Sequence, residues 1–317
     1  MLWRIPAVCR VLRRNNTGGI TDIMGNPFIK LHIAIALAGI TGVLGKVIQL
    51  AEGPLVWWRM LFTSILFAAY LYCKGQLPHI PFREFAKICG VGALTAIHWV
   101  FFYGSIKYAN VSIGVVCFAL TGFFTAIFEP TFRKKFPSIR ELCFSLITVF
   151  GISLIFHFDT QFRTGIILGI LSAAFAALFT ISIKKVGRDH DSSTILLFQM
   201  SSGFVVLTLL APSYLALFPG LKLVPDMHDL VYLLFLSSVC TIGLFLLEIQ
   251  ALQKISAFTA NLSFNLEPVY SILLAMLFLG EANELGPAFF GGLALICISV
   301  VLQSLYTIRQ AGGAIKS

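Results

Sequence analysis

The sequence predicts an all-α integral membrane protein of ten transmembrane helices, arranged as two inverted-topology repeats of five. Three observations predict it. Hydrophobic residues make up 58% of the chain and charged residues only 12%, with a mean hydropathy of +0.90. A soluble domain needs far more charge to cover its surface. Apolar runs matching the roughly 20 residues that span a bilayer recur along nearly the whole chain. Those runs are about twice the length of a barrel strand and lack its alternation, so their backbone must be helical.

The first helix is expected at 31–50, where GITGVLGK brings Gly39, Gly42 and Gly45 to a spacing that lets helices approach closely. That string is not a phosphate-binding loop, because Val47 follows Lys46 and no strand precedes it. The second, 54–73, carries Trp57 and Trp58 near its outer end, as an aromatic belt would. The third, 86–108, has His98 at mid-depth. The fourth, 111–132, ends on Glu129, Pro130 and a basic run. The fifth and sixth, 141–158 and 165–183, are almost purely apolar. The seventh, 194–217, carries Gln199; the eighth, 229–250, carries Glu248. The ninth, 256–279, holds Pro268 within it, and the tenth is 287–308. Connections are short, so consecutive helices are expected to be antiparallel neighbours.

The net charge of +9 could suggest nucleic acid, but its distribution points elsewhere. With the amino terminus placed inside, 18 Lys and Arg fall on the inner side, 3 (Lys107, Arg163 and Lys222) on the outer, and Lys46 and Arg59 within spans. This bias across short loops puts both termini in the cytoplasm and supports an even number of spans. The membrane is expected to be the cell membrane, of the bacterial inner type. The partners are the lipid bilayer and a small-molecule solute, with protons as a further candidate and no nucleic acid. Oligomeric state is left open. Six of the seven cysteines lie in apolar helices, none forms CxxC, and they read as small core hydrophobes. No disulfide framework, metal site or cofactor is implied. Residues 1–26 form a basic cytoplasmic tail in which Met24 is a second candidate start; residues 311–317 form another tail.

The two halves, 27–160 and 161–310, resemble each other at an offset of 146 residues. GSIKYANVSIGVV (104–116) lies over QALQKISAFTANL (250–262), and VWWRML (56–61) corresponds roughly to LFQMSS (197–202). Five helices per half is an odd number, so the second half enters the membrane from the opposite side. Alternating access between two such bundles is the mechanism this architecture serves.

The Arg-bearing WWRM after Pro54, the ANVSIGVV turn and NLEPVYSILLAMLFLGE (265–281) resemble the EamA branch of the drug/metabolite transporter superfamily. The resemblance covers residues 27 to 308. In the first half FFTAIFEPTFRKKFPSIRE departs from the pattern, with no LGE. The resemblance implies a transporter fold and a solute among amino acids, other metabolites and drugs; export of an amino acid or related metabolite is the specific expectation.

Charges in a bilayer centre cost roughly 3 kcal/mol on insertion scales, so the few present are candidates for substrate binding or coupling. Glu267, directly before Pro268, can bind a proton or a substrate amine, or can hold helices together as partner of Arg59 or Lys46. Arg59 can clamp a carboxylate or phosphate, or snorkel to outer headgroups. Lys46 can face the cavity or reach the outer surface. His98 can relay protons, or be satisfied by a neighbouring carbonyl; with Trp99, Phe102 and Tyr103 it suggests an aromatic-lined pocket. Asn261 and Asn265 fall on the side of a straight helix opposite Glu267, so either Pro268 distorts that helix or the asparagines pack elsewhere, the second being the expectation. Glu248 faces a cytoplasmic vestibule or water. Glu129 pairs with Arg133. No ATP-binding motif is present, so a gradient must drive any transport, and the expected cargo is zwitterionic or anionic. The alternative, a membrane-embedded lipid-modifying enzyme, wants clustered acidic metal ligands, and no DxxxD pair exists. A non-enzymatic carrier is the reading carried forward.

Overall fold

A computed structural model of the protein describes residues 26–158, 160–264 and 266–314. The described residues contain helices and connections and no strand. The helices are α1 Pro27–Val47, α2 Glu52–Lys74, α3 Phe82–Tyr108, α4 Val111–Phe118, α5 Thr121–Phe132, α6 Ile139–Phe158, α7 Arg163–Val186, α8 Ser192–Leu217, α9 Met227–Ser237, α10 Leu244–Leu252, α11 Ala257–Phe264, α12 Glu267–Leu279 and α13 Pro287–Ala314.

Their ends follow local chemistry. Asn26 accepts a hydrogen bond from the Phe28 amide at 2.9 Å and Pro27 occupies the first turn, so α1 starts before the expected residue 31. Asp191 caps α8 through the amides of Ser193 and Thr194, and Asp226 caps α9. Gly75, at φ 65°, ends α2 in the left-handed conformation that glycine adopts freely.

Among the described residues, seven stretches are long and apolar enough to cross a membrane: Pro27–Val47, Glu52–Lys74, Phe82–Tyr108, Val111–Phe132, Arg163–Val186, Ser192–Leu217 and Met227–Leu252. Three shorter apolar stretches are Ser145–His157, Glu267–Leu279 and Pro287–Ser299. The expected ninth helix is therefore two pieces. Proline lacks the amide that would continue the ladder, and α11 ends just before the Glu267-Pro268 step. Apolar side chains point outward as lipid requires: Leu209, Leu277 and Phe278 are about three-quarters exposed. Of the cysteines expected in the core, only Cys117 and Cys240 are buried, whereas Cys73, Cys143 and Cys297 are exposed.

The packing places α1, α3, α7 and α10 at the centre. α3 lies against α7 and α8, α1 against α10 and α12, and α6 against α13. Two of the close approaches need glycine. A Cβ at Gly92 would collide with Ser202 and the Gln199 carbonyl where α3 crosses α8, and one at Gly45 would enter the Tyr103 ring.

At the bundle end where α4 begins, the loop after α12 reaches across to the α4 amino terminus. Glu281 accepts hydrogen bonds from the Val111 amide (2.8 Å), the Ser112 amide (2.9 Å) and the Ser112 hydroxyl (2.7 Å). Glu284 accepts one from Asn110 at 3.3 Å. A carboxylate on the positive end of a helix is a charge-assisted contact, and this one is buried.

Candidate functional site

The site is built on Arg59, which the sequence leaves between a clamp and a snorkelling side chain. The structure turns it inward, 1% exposed. Its Nε donates to Thr241 Oγ1 at 2.8 Å, Nη1 to Tyr103 Oη at 2.6 Å and Nη2 to the Cys240 carbonyl at 3.5 Å. The guanidinium carbon lies 3.7 Å from the Trp99 ring centroid. Snorkelling to the headgroups is thus corrected: hydrogen bonds and a cation–π contact hold the charge inside. A guanidinium has five N–H donors, and these contacts engage one on each nitrogen.

The partners of Arg59 come from a local irregularity. Between α9 and α10, residues Ser238–Gly243 form a π-helical turn. Thr241 Oγ1 donates to the Leu236 carbonyl at 2.7 Å while accepting from Arg59. Such turns shift the backbone register and expose carbonyls to side chains. Tyr103, wholly buried, stands behind Arg59.

Beside Arg59 lies a cavity of about 70 Å³. Its walls are Trp99, Phe102, Phe118, Phe179, Phe245 and Phe264, with Ala38, Thr41, Ala176, Thr180 and Leu244 between them. His98, Glu248 and Glu267 complete the lining. Glu248 is 6% exposed and Glu267 4% exposed. Neither carboxylate has a hydrogen-bonding or ionic partner among the described residues. Two acids without partners therefore face one aromatic cavity, where an unpaired charge is poorly solvated.

His98 Nδ1 lies 2.9 Å from Ser172 Oγ and 3.2 Å from the Ser172 carbonyl, and Ser172 Oγ also lies 3.2 Å from the His98 carbonyl. This clasp between α3 and α7 is the satisfied-histidine reading. The ring stacks on Phe118, with centroids 5.3 Å apart.

The other candidates separate. Lys46 is corrected out of the site: it is exposed at the end of α1 and its Nζ donates to the Ala109 carbonyl at 3.4 Å. Glu267 forms no ion pair with Lys46 or Arg59, so the tether reading is also corrected. Asn265 lies outside the described residues, as does the side chain of Asn261. The run is interrupted at Leu266, just before Glu267, and both Phe264 and Glu267 line the cavity; the expected packing of the asparagines falls outside the described residues. Glu248 faces this cavity, not bulk water. Glu129 pairs with Arg133 at 2.8 Å.

Sequence reasoning missed Thr241, Phe245, Phe179 and Phe264. One signal was readable: Thr241, Phe245 and Glu248 recur at helical spacing, so a stripe led from Arg59 to an acid. The π-turn had no signal.

Asp226, His228 and Asp229 bring donor atoms within 4.8 Å of one another, a spacing that suits a metal. Protein groups already occupy them. Lys222 Nζ lies 2.8 Å from Asp226 and 2.9 Å from Asp229, and Asp229 accepts from the Gln49 amide at 2.7 Å. Hydrogen bonds from the Asp229 amide and from Lys222 hold the Asp226 carboxyl below its ordinary range.

A solved structure recorded only as "Crystal structure of protein" superimposes with a TM-score of 0.63 at 16% identity, over 90% of this chain and 98% of that one. That likeness speaks for the fold. An "Uncharacterized transporter" of Haemophilus influenzae is 26% identical over 152 residues, or 45% of this chain. The match spans half of that relative's length. The model of the EamA-like transporter family matches residues 28–157 and again 163–305. Both the family description and the relative's name point to a transporter rather than an enzyme. Through two matches that together span almost all of it, this chain belongs to the EamA-like transporter family.

Proposed function

We propose that the protein is a secondary transporter that exports a small organic solute, an amino acid or related metabolite, by alternating access. The cavity lined by Arg59 from the first half and Glu248 and Glu267 from the second carries this reading, because a site between two halves can open to either side in turn. In this reading ten spans form two inverted repeats, 27–160 and 161–310, in a bacterial-type inner membrane with both termini cytoplasmic. The three shorter apolar stretches complete the ten.

Correspondences between the halves support the repeats. The helical run is interrupted by turn residues at Leu120 and at Leu266, an interval of 146 residues by subtraction. Asn110 caps α4 through the Ile113 amide, and Ser256 caps α11 through the Thr259 amide, each pair again 146 apart. Arg59 on α2 donates to Thr241, and Gln199 on α8 donates to Thr95 at 3.0 Å, so the two threonines correspond at that offset too. The double family match points the same way.

Protons are the coupling ion this reading favours, with Glu267 as carrier. The test is flux through purified protein in liposomes across a pH gradient, with the solute chosen by comparing metabolites in spent medium of cells with and without the protein. Glu267→Gln is expected to abolish transport or its pH-dependence, and Arg59→Ala to abolish transport. Normal, still pH-dependent flux in Glu267→Gln removes that carboxylate from the mechanism.

A further inference from the structure

The cavity pairs one cationic wall with two acidic ones, and that count constrains its cargo. Arg59 is the one cationic side chain among the described lining residues, and Glu248 and Glu267 are the two anionic ones. His98, clasped to Ser172 through Nδ1, is counted as uncharged. With all three charged, the walls sum to one negative charge. In a water-poor cavity an uncompensated charge is costly, so the complementary cargo carries one net positive charge. It must also offer an anion to the free N–H donors of Arg59.

The charges are spread along the bundle axis. Arg59 is fixed to Thr241, and Glu248 lies seven residues further along the same helical run, roughly 10 Å by helical rise. Phe245 lies between them along that run and packs edge-on against Trp99, ring centroids 5.4 Å apart. Aromatic faces stabilise a cation passing over them.

Resting on the transporter reading above, we infer that the cargo is a basic amino acid, a net cation in place of the zwitterion or anion expected from the sequence. Its carboxylate meets Arg59, and its two cationic nitrogens meet Glu248 and Glu267. A neutral amino acid leaves one acid unpaired, and an acidic one adds a second mismatch, which disfavours both. Glu248 becomes the specificity-determining residue, since it lies two helical turns beyond Thr241, the partner of Arg59, and so meets the side-chain nitrogen.

The test uses full-length protein in liposomes preloaded with unlabelled lysine, arginine, leucine or glutamate, reading uptake of the same labelled solute. Lysine or arginine is expected to exchange, with leucine and glutamate about a hundredfold slower. Glu248→Gln removes one negative charge and is expected to reverse the preference toward leucine. A reversal also shows that the variant folds. A second measurement uses wild-type protein alone: lysine should raise its unfolding temperature in detergent, and leucine should not. Leucine or glutamate exchanging as fast as lysine overturns the inference and leaves the transporter reading standing. Glu248→Gln retaining the lysine preference overturns the assignment to Glu248. No exchange of any tested solute, together with no metabolite difference in spent medium, removes the transporter reading and this inference together.

Discussion

Tyr103 shows how one residue positions another. It is fully buried, and its hydroxyl accepts from Arg59 Nη1. Tyr103→Phe leaves that donor unpaired in the interior, a loss of about 1–3 kcal/mol. Thermal unfolding of the purified protein should show it, and an unchanged unfolding temperature would mean that water replaces the hydroxyl. Gly45→Ala should act on the same side chain from behind, because the new methyl enters the Tyr103 ring. Overpacking of this kind costs about 1–3 kcal/mol, and both substitutions should also slow transport. Most of the site's residue types were legible in advance, because buried charges in lipid-spanning runs are few. Arg59, Glu248, Glu267, His98 and Trp99 all reached the cavity. Lys46 did not, because a lysine near a helix end can extend its amine to the surface. Whether Arg59 did likewise depended on Thr241 and Tyr103, which sequence distance hides.

Helix starts were legible to within about four residues, since apolar length fixes a span. Helix continuity was not. The interruptions at Ala119–Leu120 and at Leu266 and the π-turn at Ser238–Gly243 depend on tertiary partners as well as on local propensity. The loop between α8 and α9 makes its own prediction. Asp226 has its carboxyl held below the ordinary range by the Asp229 amide and by Lys222, so its contribution to stability is present above the unfolded value. That contribution is lost as pH falls through the lower folded value. Below the normal aspartate range, amide exchange in residues 218–229 should accelerate before that of the helices. Uniform acceleration across the chain would refute a local clasp.

Across the whole molecule, the inside-positive count and the proposed ten spans demand that both termini share one side. Reporter fusions at either end, one fluorescent only in the cytoplasm and one active only outside it, should both report the cytoplasm. Opposite signals would require an odd number of crossings. Glu281 bears on the same scale, because it fastens a loop of the second half to a helix start in the first. At the other end, Lys184 binds the carbonyls of Leu252 and Ile255, all within the second half. In the proposed alternating-access cycle, the two states therefore start from unequal rungs. Unfastening the Glu281 side forfeits several charge-assisted bonds before cargo returns anything, so the resting carrier should wait with that side shut. In Glu281→Gln that bias should shrink, and a bulky thiol reagent should label cysteines placed along that entrance faster than in the parent.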